Sequence, residues 1–318
     1  MKKFLSDLRR ALNERRVKPE EIEEILADHE EMIKTALAEG LSEADIAKRF
    51  GDPEKLADEL ADCPKAEPGE SESPEGYQAW KTFPVNGSLL SLDIRLVSEG
   101  LLVQTGDHPD LRVFKKGKTK TDDYEIALSG TLFTLRTPRN VGGSLFGIRR
   151  EIDLDFFVEL PAGIRLDSVK FATVSGDSAF LNLSGADWSL ETTSGDLSLN
   201  ALGAKDIRWN SVSGDVQAEN SVFASLSASS VSGDLVLKNV QVAGNLRIHS
   251  VSGEARAEDC TAGETELESV SGDVRGKEFY PESLRMKSVS GDVILENKDK
   301  NRIKVVSTRT TSGELIIR

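Results

Sequence analysis

Eight acidic residues recur at nearly equal steps through the second half of the chain: Asp177, Asp196, Asp215, Asp234, Glu254, Asp273, Asp292 and Glu314, each directly after a Ser-Gly pair. Two chemistries could use such a row. Carboxylates from adjacent repeats would stand about 5 Å apart, close to the separation at which a retaining glycosidase sets its acid and its nucleophile. They could also ligate calcium, which takes six to eight oxygens. Neither accounts for the repetition. An active site is needed once, whereas this pair would recur at every step. One carboxylate per repeat is also a thin supply for calcium beside the Gly- and Asp-rich nonapeptides of calcium-binding β-rolls. The row therefore reads as turn chemistry, in which Ser and Asp bond neighbouring backbone groups and hold a corner. Two exposed unit charges at that spacing repel by only about 0.8 kcal/mol in water, which hydrogen bonds at the turn can offset. No residue is assigned to catalysis, to a cofactor or to a metal.

Other chemistry is weaker still. "GGSLFG" at 142–147 has the glycine spacing of a phosphate loop, but Ile148-Arg149 stands where Lys-Ser/Thr would meet phosphate and magnesium. The same stretch carries Leu145, Phe146 and Ile148 framed by Arg136, Arg139, Arg149 and Arg150, a pattern for a buried hairpin loop or for a membrane-surface or partner contact. His29, His108 and His249 have no supporting constellation, and His249 is expected to face solvent. Cys63 and Cys260 fit neither a disulfide framework nor a zinc-ligand spacing. They read as a free thiol and a core filler.

The elements that must position the acidic row follow from its period. The glycines of the turn are Gly176, Gly195, Gly214, Gly233, Gly253, Gly272, Gly291 and Gly313, with steps of 19, 19, 19, 20, 19, 19 and 22 residues. A fixed period of this size signals a solenoid, each repeat one coil stacked on the next. Apolar residues alternate on both sides of each turn, as in Leu197/Leu199 and Leu226/Ala228, and a third row runs through Leu183, Leu202, Val240, Cys260 and Phe279. No stretch within a repeat carries a helical pattern. The expectation is a single-stranded β-solenoid (β-helix) of about eight 19-residue coils over 164–318, a rod on the order of 40 Å long at about 4.8 Å per coil. Glycine at the turn is expected to supply a backbone conformation with positive φ.

Upstream the pattern changes twice. Residues 1–62 show helical spacing in Phe4, Leu5, Leu8 and Leu12 and again in Ile22, Ile25, Leu26, Met32, Ile33 and Leu37, with helix-closing glycines at Gly40 and Gly51. This is a small helical bundle with acidic outer faces. Its "GLSEADIAKRFGDPEKLA" segment has the outline of a helix-turn-helix, but acidic flanks favour protein contact over DNA. Residues 63–76, "CPKAEPGESESPEG", form a flexible, solvated linker. From 77 to 163 short alternating runs separated by Gly, Pro, Asn and Asp predict antiparallel or irregular strands, a cap on the solenoid. The fold class is thus mostly β with a small α domain.

Charge and hydropathy narrow the function. A net charge of −14 lacks the basic surplus a general nucleic-acid binder needs. The start has no apolar core for a signal peptide, and no run of about 18 apolar residues occurs, so a cytoplasmic location, peripheral to the membrane at most, is expected. The final "SGELIIR" leaves apolar strand residues without an evident cap, an edge that invites pairing with a second copy or another chain.

Two resemblances add to this. "FLSDLRRAL", "EEIEEILADHEEMI" and "GLSEADIAKRFGDPEKLADEL" resemble the bacterial helical signalling domain HAAS, associated with helix-turn-helix regulators of the PadR type; this implies signalling by protein contact. The repeated "SVSGD" turns and the upstream "VELPAGI" resemble the bacterial "putative adhesin" domains of unknown function, whose members sit beside envelope-stress or membrane proteins. Together they imply a non-enzymatic scaffold or signalling protein. Its bundle would contact a PadR-type regulator or a membrane-associated stress protein, and its solenoid would act as a binding or assembly surface. A carbohydrate-active β-helix enzyme and an exported adhesin are the alternatives.

Overall fold

The computed structural model describes residues 76–138, 153–299 and 302–318. The helical bundle, the linker up to 75, the 142–147 loop, His29 and Cys63 lie outside the described residues. What is described is a β-solenoid of about eight turns, and no helix longer than a single turn occurs among these residues.

Each coil repeats one path. A four-residue strand follows the acidic residue, as in Leu197–Asn200, Val216–Glu219 and Leu235–Lys238, with its first and third side chains turned inward. One residue with positive φ then bends the chain: Asn182, Ala201, Asn220, Asn239, Asp259 and Glu278, all between 50° and 55°. Asparagine and aspartate tolerate this conformation because their short polar side chains bond locally. A longer strand follows, as in Ser184–Thr192, Gly203–Ser211 and Val222–Ser230, and ends on a buried Thr or Ser. The Ser-Gly-Asp bend then starts the next coil.

Neighbouring coils pair in parallel, in register. Leu197 pairs with Val216, Val216 with Leu235, Leu235 with Ala255, Ala255 with Val274 and Val274 with Val293. Trp188, Ile207, Leu226, Leu246, Thr265 and Leu284 line up in the same way on the longer strand. Since side chains alternate along a strand, register at the repeat period brings every inward residue over its counterpart, and the apolar rows merge into one core. Each leucine so buried contributes about 2 kcal/mol. The third row is buried as well, with Leu183, Leu202, Val240, Cys260 and Phe279 all inside.

The other end of the stack departs from chain order. Leu89–Arg95 and Gly100–Thr105 form a parallel coil beside Arg165–Thr173 and Ser178–Leu181. On its far side lie Leu132–Arg136 and Leu154–Leu160, also parallel to it. The chain therefore builds the first coil, then the layer beyond it, and only afterwards returns to Arg165 to continue the stack. Antiparallel strands close this end: Leu111–Gly117 on Leu154–Leu160, Gln78–Phe83 on Leu111–Gly117, and Glu125–Ser129 on Leu132–Arg136. Aromatic rings fill the closure, with Trp80 stacked on Phe156 at 5.4 Å and Tyr124 edge-on to the same ring.

The repeat glycines correct one expectation. None of the eight has positive φ; the positive angles fall instead at the asparagine-type corner. Glycine is required because the coils nearly touch there. A Cβ on Gly195, Gly214, Gly233, Gly253, Gly272, Gly291 or Gly313 would lie 2.0–2.2 Å from the carbonyl oxygen of the glycine one coil earlier.

From Gly195 to Gly291 a buried Thr or Ser three residues before the glycine locks the bend. Ser230 Oγ donates to the Gly233 carbonyl at 2.6 Å, and Thr192, Ser250 and Ser288 do the same to Gly195, Gly253 and Gly291. Ser230→Ala, which strips the Gly233 carbonyl of this donor in a dry interior, is expected to cost about 1–2 kcal/mol, read as a lower urea midpoint with unchanged slope.

Candidate functional site

The acidic row lies at the outer edge of the bends, and hydrogen bonds fix its geometry. The backbone N–H of Asp196 donates to Asp177 Oδ1 at 3.0 Å, that of Asp215 to Asp196 at 2.9 Å, and that of Asp234 to Asp215 at 2.8 Å. Glu254, Asp292 and Glu314 donate in the same way to Asp234, Asp273 and Asp292. Each of these aspartates thus satisfies a backbone donor of the coil above, a charge-assisted bond stronger than a neutral one. No group of three or more His, Cys, Asp or Glu placed to hold a metal ion occurs among the described residues.

Glu254 shows why aspartate is the usual choice. Its longer arm reaches outward, accepting a short bond from Arg256 and pairing with Arg275 at 3.0 Å. The Arg256 hydrogen bond holds its carboxyl below the ordinary value of 4.5, against the opposing effect of burial. A carboxyl depressed in the folded state stabilises fully above its unfolded value and loses that contribution as pH falls through the folded one. Glu254→Gln is therefore expected to flatten the part of the acid-induced stability loss that this residue supplies as pH falls below the ordinary carboxylate range, measured as urea midpoint against pH.

Beside the acidic row run two further ladders. Ser252, Ser271, Ser290 and Ser312 donate through Oγ to the carbonyls of Val231, Val251, Val270 and Val289 one coil below, at 3.0–3.2 Å. The valines themselves point outward: Val174, Val212, Val231, Val270 and Val289 are 40–48% exposed. The bend thus presents parallel stripes of apolar, hydroxyl and carboxylate groups, of which the last two are engaged between coils. Sequence reasoning placed the acidic stripe but missed the valine stripe and the positive-φ corner. The signal for the first was present in the recurring Val of "SVSGD".

A second surface feature runs across the first coils. A shallow groove of about 560 Å³ is lined by Leu166, Gly185, Ala204, Val222 and Phe223, with Arg165 among its charged residues. The remaining residues singled out from sequence stay apart. His249 is half exposed with Nδ1 3.4 Å from Glu268. Cys260 is buried, donates Sγ–H to the Glu258 carbonyl, and has its thiol pushed up to about 11 by burial.

A family profile described as Toastrack DUF4097 matches residues 90–314. The chain belongs to the Toastrack DUF4097 family. In Toastrack terms the matched span takes in the first parallel coil and all eight Ser-Gly corners. A second profile, HAAS, matches residues 3–59, the region whose sequence resembles that domain. Among solved structures the Toastrack fold is similar to a "putative lipid binding protein" from Parabacteroides distasonis ATCC 8503, with TM-score 0.53 and 17% identity over 75% of this chain and 96% of that one. A "putative adhesin" from Bacteroides fragilis NCTC 9343 matches with TM-score 0.45 and 13% identity over 77% and 98%. No curated protein sequence matches the chain.

Proposed function

We propose that this protein is a non-enzymatic scaffold of the cell interior, peripheral to the membrane at most. Its HAAS-type region contacts a regulatory protein of the PadR type or a membrane-associated stress protein. Its Toastrack solenoid supplies a rigid surface for binding or assembly, and the coil at 304–317 pairs with a second copy. The observation that carries this reading is the state of the corner: all six aspartates of the row hold the next coil's N–H, Glu254 is paired with arginines, and what faces outward is a repeated apolar stripe. A surface repeated along a rod suits contact with a macromolecule better than capture of one small substrate.

The test is site-specific photo-crosslinking from Val212, Val231 and Val270 in the full chain, beside crosslinkers at exposed Ser198 and Gln217 on another face. Specific protein adducts from the valines alone support the reading. Turnover of a polysaccharide by the purified protein would replace it with the enzyme alternative.

The groove whose exposed apolar residues are Leu89, Val222 and Ala224 favours a second reading, contact with a lipid chain, with Arg165 near an anionic headgroup. Flotation with anionic vesicles, lost in Val222→Asp, would support it; no flotation would remove it.

A further inference from the structure

The chain contains one Asn-Gly step, Asn86-Gly87, in the connection between strands Gln78–Phe83 and Leu89–Arg95. Asparagine followed by glycine is the pairing most prone to internal cyclisation, because no side chain at the second residue shields its backbone nitrogen. Most folded Asn-Gly steps are protected by hydrogen bonds or by confinement. This one has neither. Asn86 and Gly87 are both exposed, and among the described residues neither the Asn86 amide nor the Gly87 N–H has a hydrogen-bond partner. Gly87 has φ of +113°, and a Cβ built there would meet nothing within 4 Å. The connection is thus an open loop with a glycine free to sample the approach that the reaction needs.

We propose that Asn86 is a site of spontaneous self-modification. The Gly87 backbone nitrogen attacks Cγ of Asn86, a C–N bond closes a five-membered succinimide, and the side-chain nitrogen leaves as ammonia with the proton given up by Gly87. Water then opens the imide at either carbonyl, yielding aspartate or isoaspartate. No oxidant or enzyme is needed. Each product adds one negative charge, and isoaspartate also lengthens the backbone by one methylene.

The place gives the change a consequence. The loop ties the antiparallel closure to the first parallel coil, and Ser88, two residues on, accepts the Arg165 N–H at 2.9 Å where the chain rejoins the stack. Modification at Asn86 therefore marks the seam between cap and solenoid with age, in a form that a carboxyl methyltransferase specific for isoaspartate could recognise.

The asparagines of the positive-φ corner are the internal comparison. Asn182, Asn220 and Asn239 are followed by Leu183, Ser221 and Val240, whose side chains shield the following nitrogen, and the Asn239 side-chain amide donates to Asn220 Oδ1 at 2.8 Å. The full chain is aged in neutral and mildly alkaline buffer and mapped by peptide mass spectrometry, with methyl transfer from labelled S-adenosylmethionine as the isoaspartate probe. The expected result is loss of the amide at Asn86 several-fold faster than at the three corner asparagines, faster at higher pH, with methyl label confined to the peptide carrying Asn86 and absent in Asn86→Gln. Retention of the Asn86 amide, or its loss no faster than at a corner asparagine, would overturn the proposal.

Discussion

Replacing Gly233 with alanine is expected to destabilise the solenoid by about 3 kcal/mol or more, seen as a large fall in the urea midpoint or as failure to fold. The added Cβ would lie 2.0 Å from the Gly214 carbonyl oxygen and 2.7 Å from its carbon. Both atoms are backbone, so no rotamer change relieves the contact. Relief requires the two coils to part by about 1 Å, and hydrogen bonds weaken steeply with that displacement. Those at risk are close by: Ser232 N–H to the Val212 carbonyl at 2.8 Å and Asp234 N–H to Asp215 Oδ1 at 2.8 Å. Gly203→Ala is the control. Its Cβ would meet only the Ser184 Cβ, at 3.8 Å, and its φ is not positive, so loss of unfolded-state freedom should leave the protein unchanged or about 0.4–1 kcal/mol more stable. A Gly233→Ala protein that melts like the parent would show that the coils can separate at the bend, and the close-stacking account of the glycine ladder would fail.

The two glycines also show how far the sequence could be read. The step between Ser-Gly-Asp turns is a property of the letters, and it led directly to the parallel register and to the inward rows. The reason for glycine was not in the letters. Positive φ and close approach both exclude a Cβ, and only coordinates show that the eight repeat glycines answer to the second. The real positive-φ corner escaped notice because its occupants vary: Asn182 and Asn220 would signal it, but Ala201 and Glu278 do not. The first parallel coil was hidden for two reasons. Its bend reads Ser98-Glu99-Gly100, out of the usual order, and its neighbours in space, Leu132–Arg136 and Leu154–Leu160, come later in the chain than a simple stack allows. Of the candidate surface, the acidic stripe was legible as turn chemistry. The hydrogen bonds that occupy it depend on coil spacing, which sequence does not specify residue by residue.

That irregular first bend carries the other large effect. Glu99 is fully buried, and its carboxylate accepts the N–H groups of Val97 and Ser98 at 2.7 and 2.9 Å, the Thr137 hydroxyl at 2.8 Å and a short bond from the Tyr124 hydroxyl. Its own carbonyl oxygen lies against Gly176, the first glycine of the ladder, so the residue joins the closure to the stack. Glu99→Ala removes the acceptor for four donors at once in a place water does not reach, and a loss of about 3–5 kcal/mol is expected. Tyr124→Phe removes one of the four and should cost about 1.5–3 kcal/mol, so a double-mutant cycle between the two positions should show strong coupling. Burial, with Glu99 adding to it, holds the Tyr124 hydroxyl well above its ordinary value of 10. A phenol raised in the folded state stabilises fully below its unfolded value and loses that contribution as pH climbs past it. The parent should therefore weaken as pH rises beyond about 10, and Tyr124→Phe should lack that alkaline component while keeping the bend. If Glu99→Ala costs no more than a surface substitution, the bend is held by strand pairing alone and the buried carboxylate is dispensable.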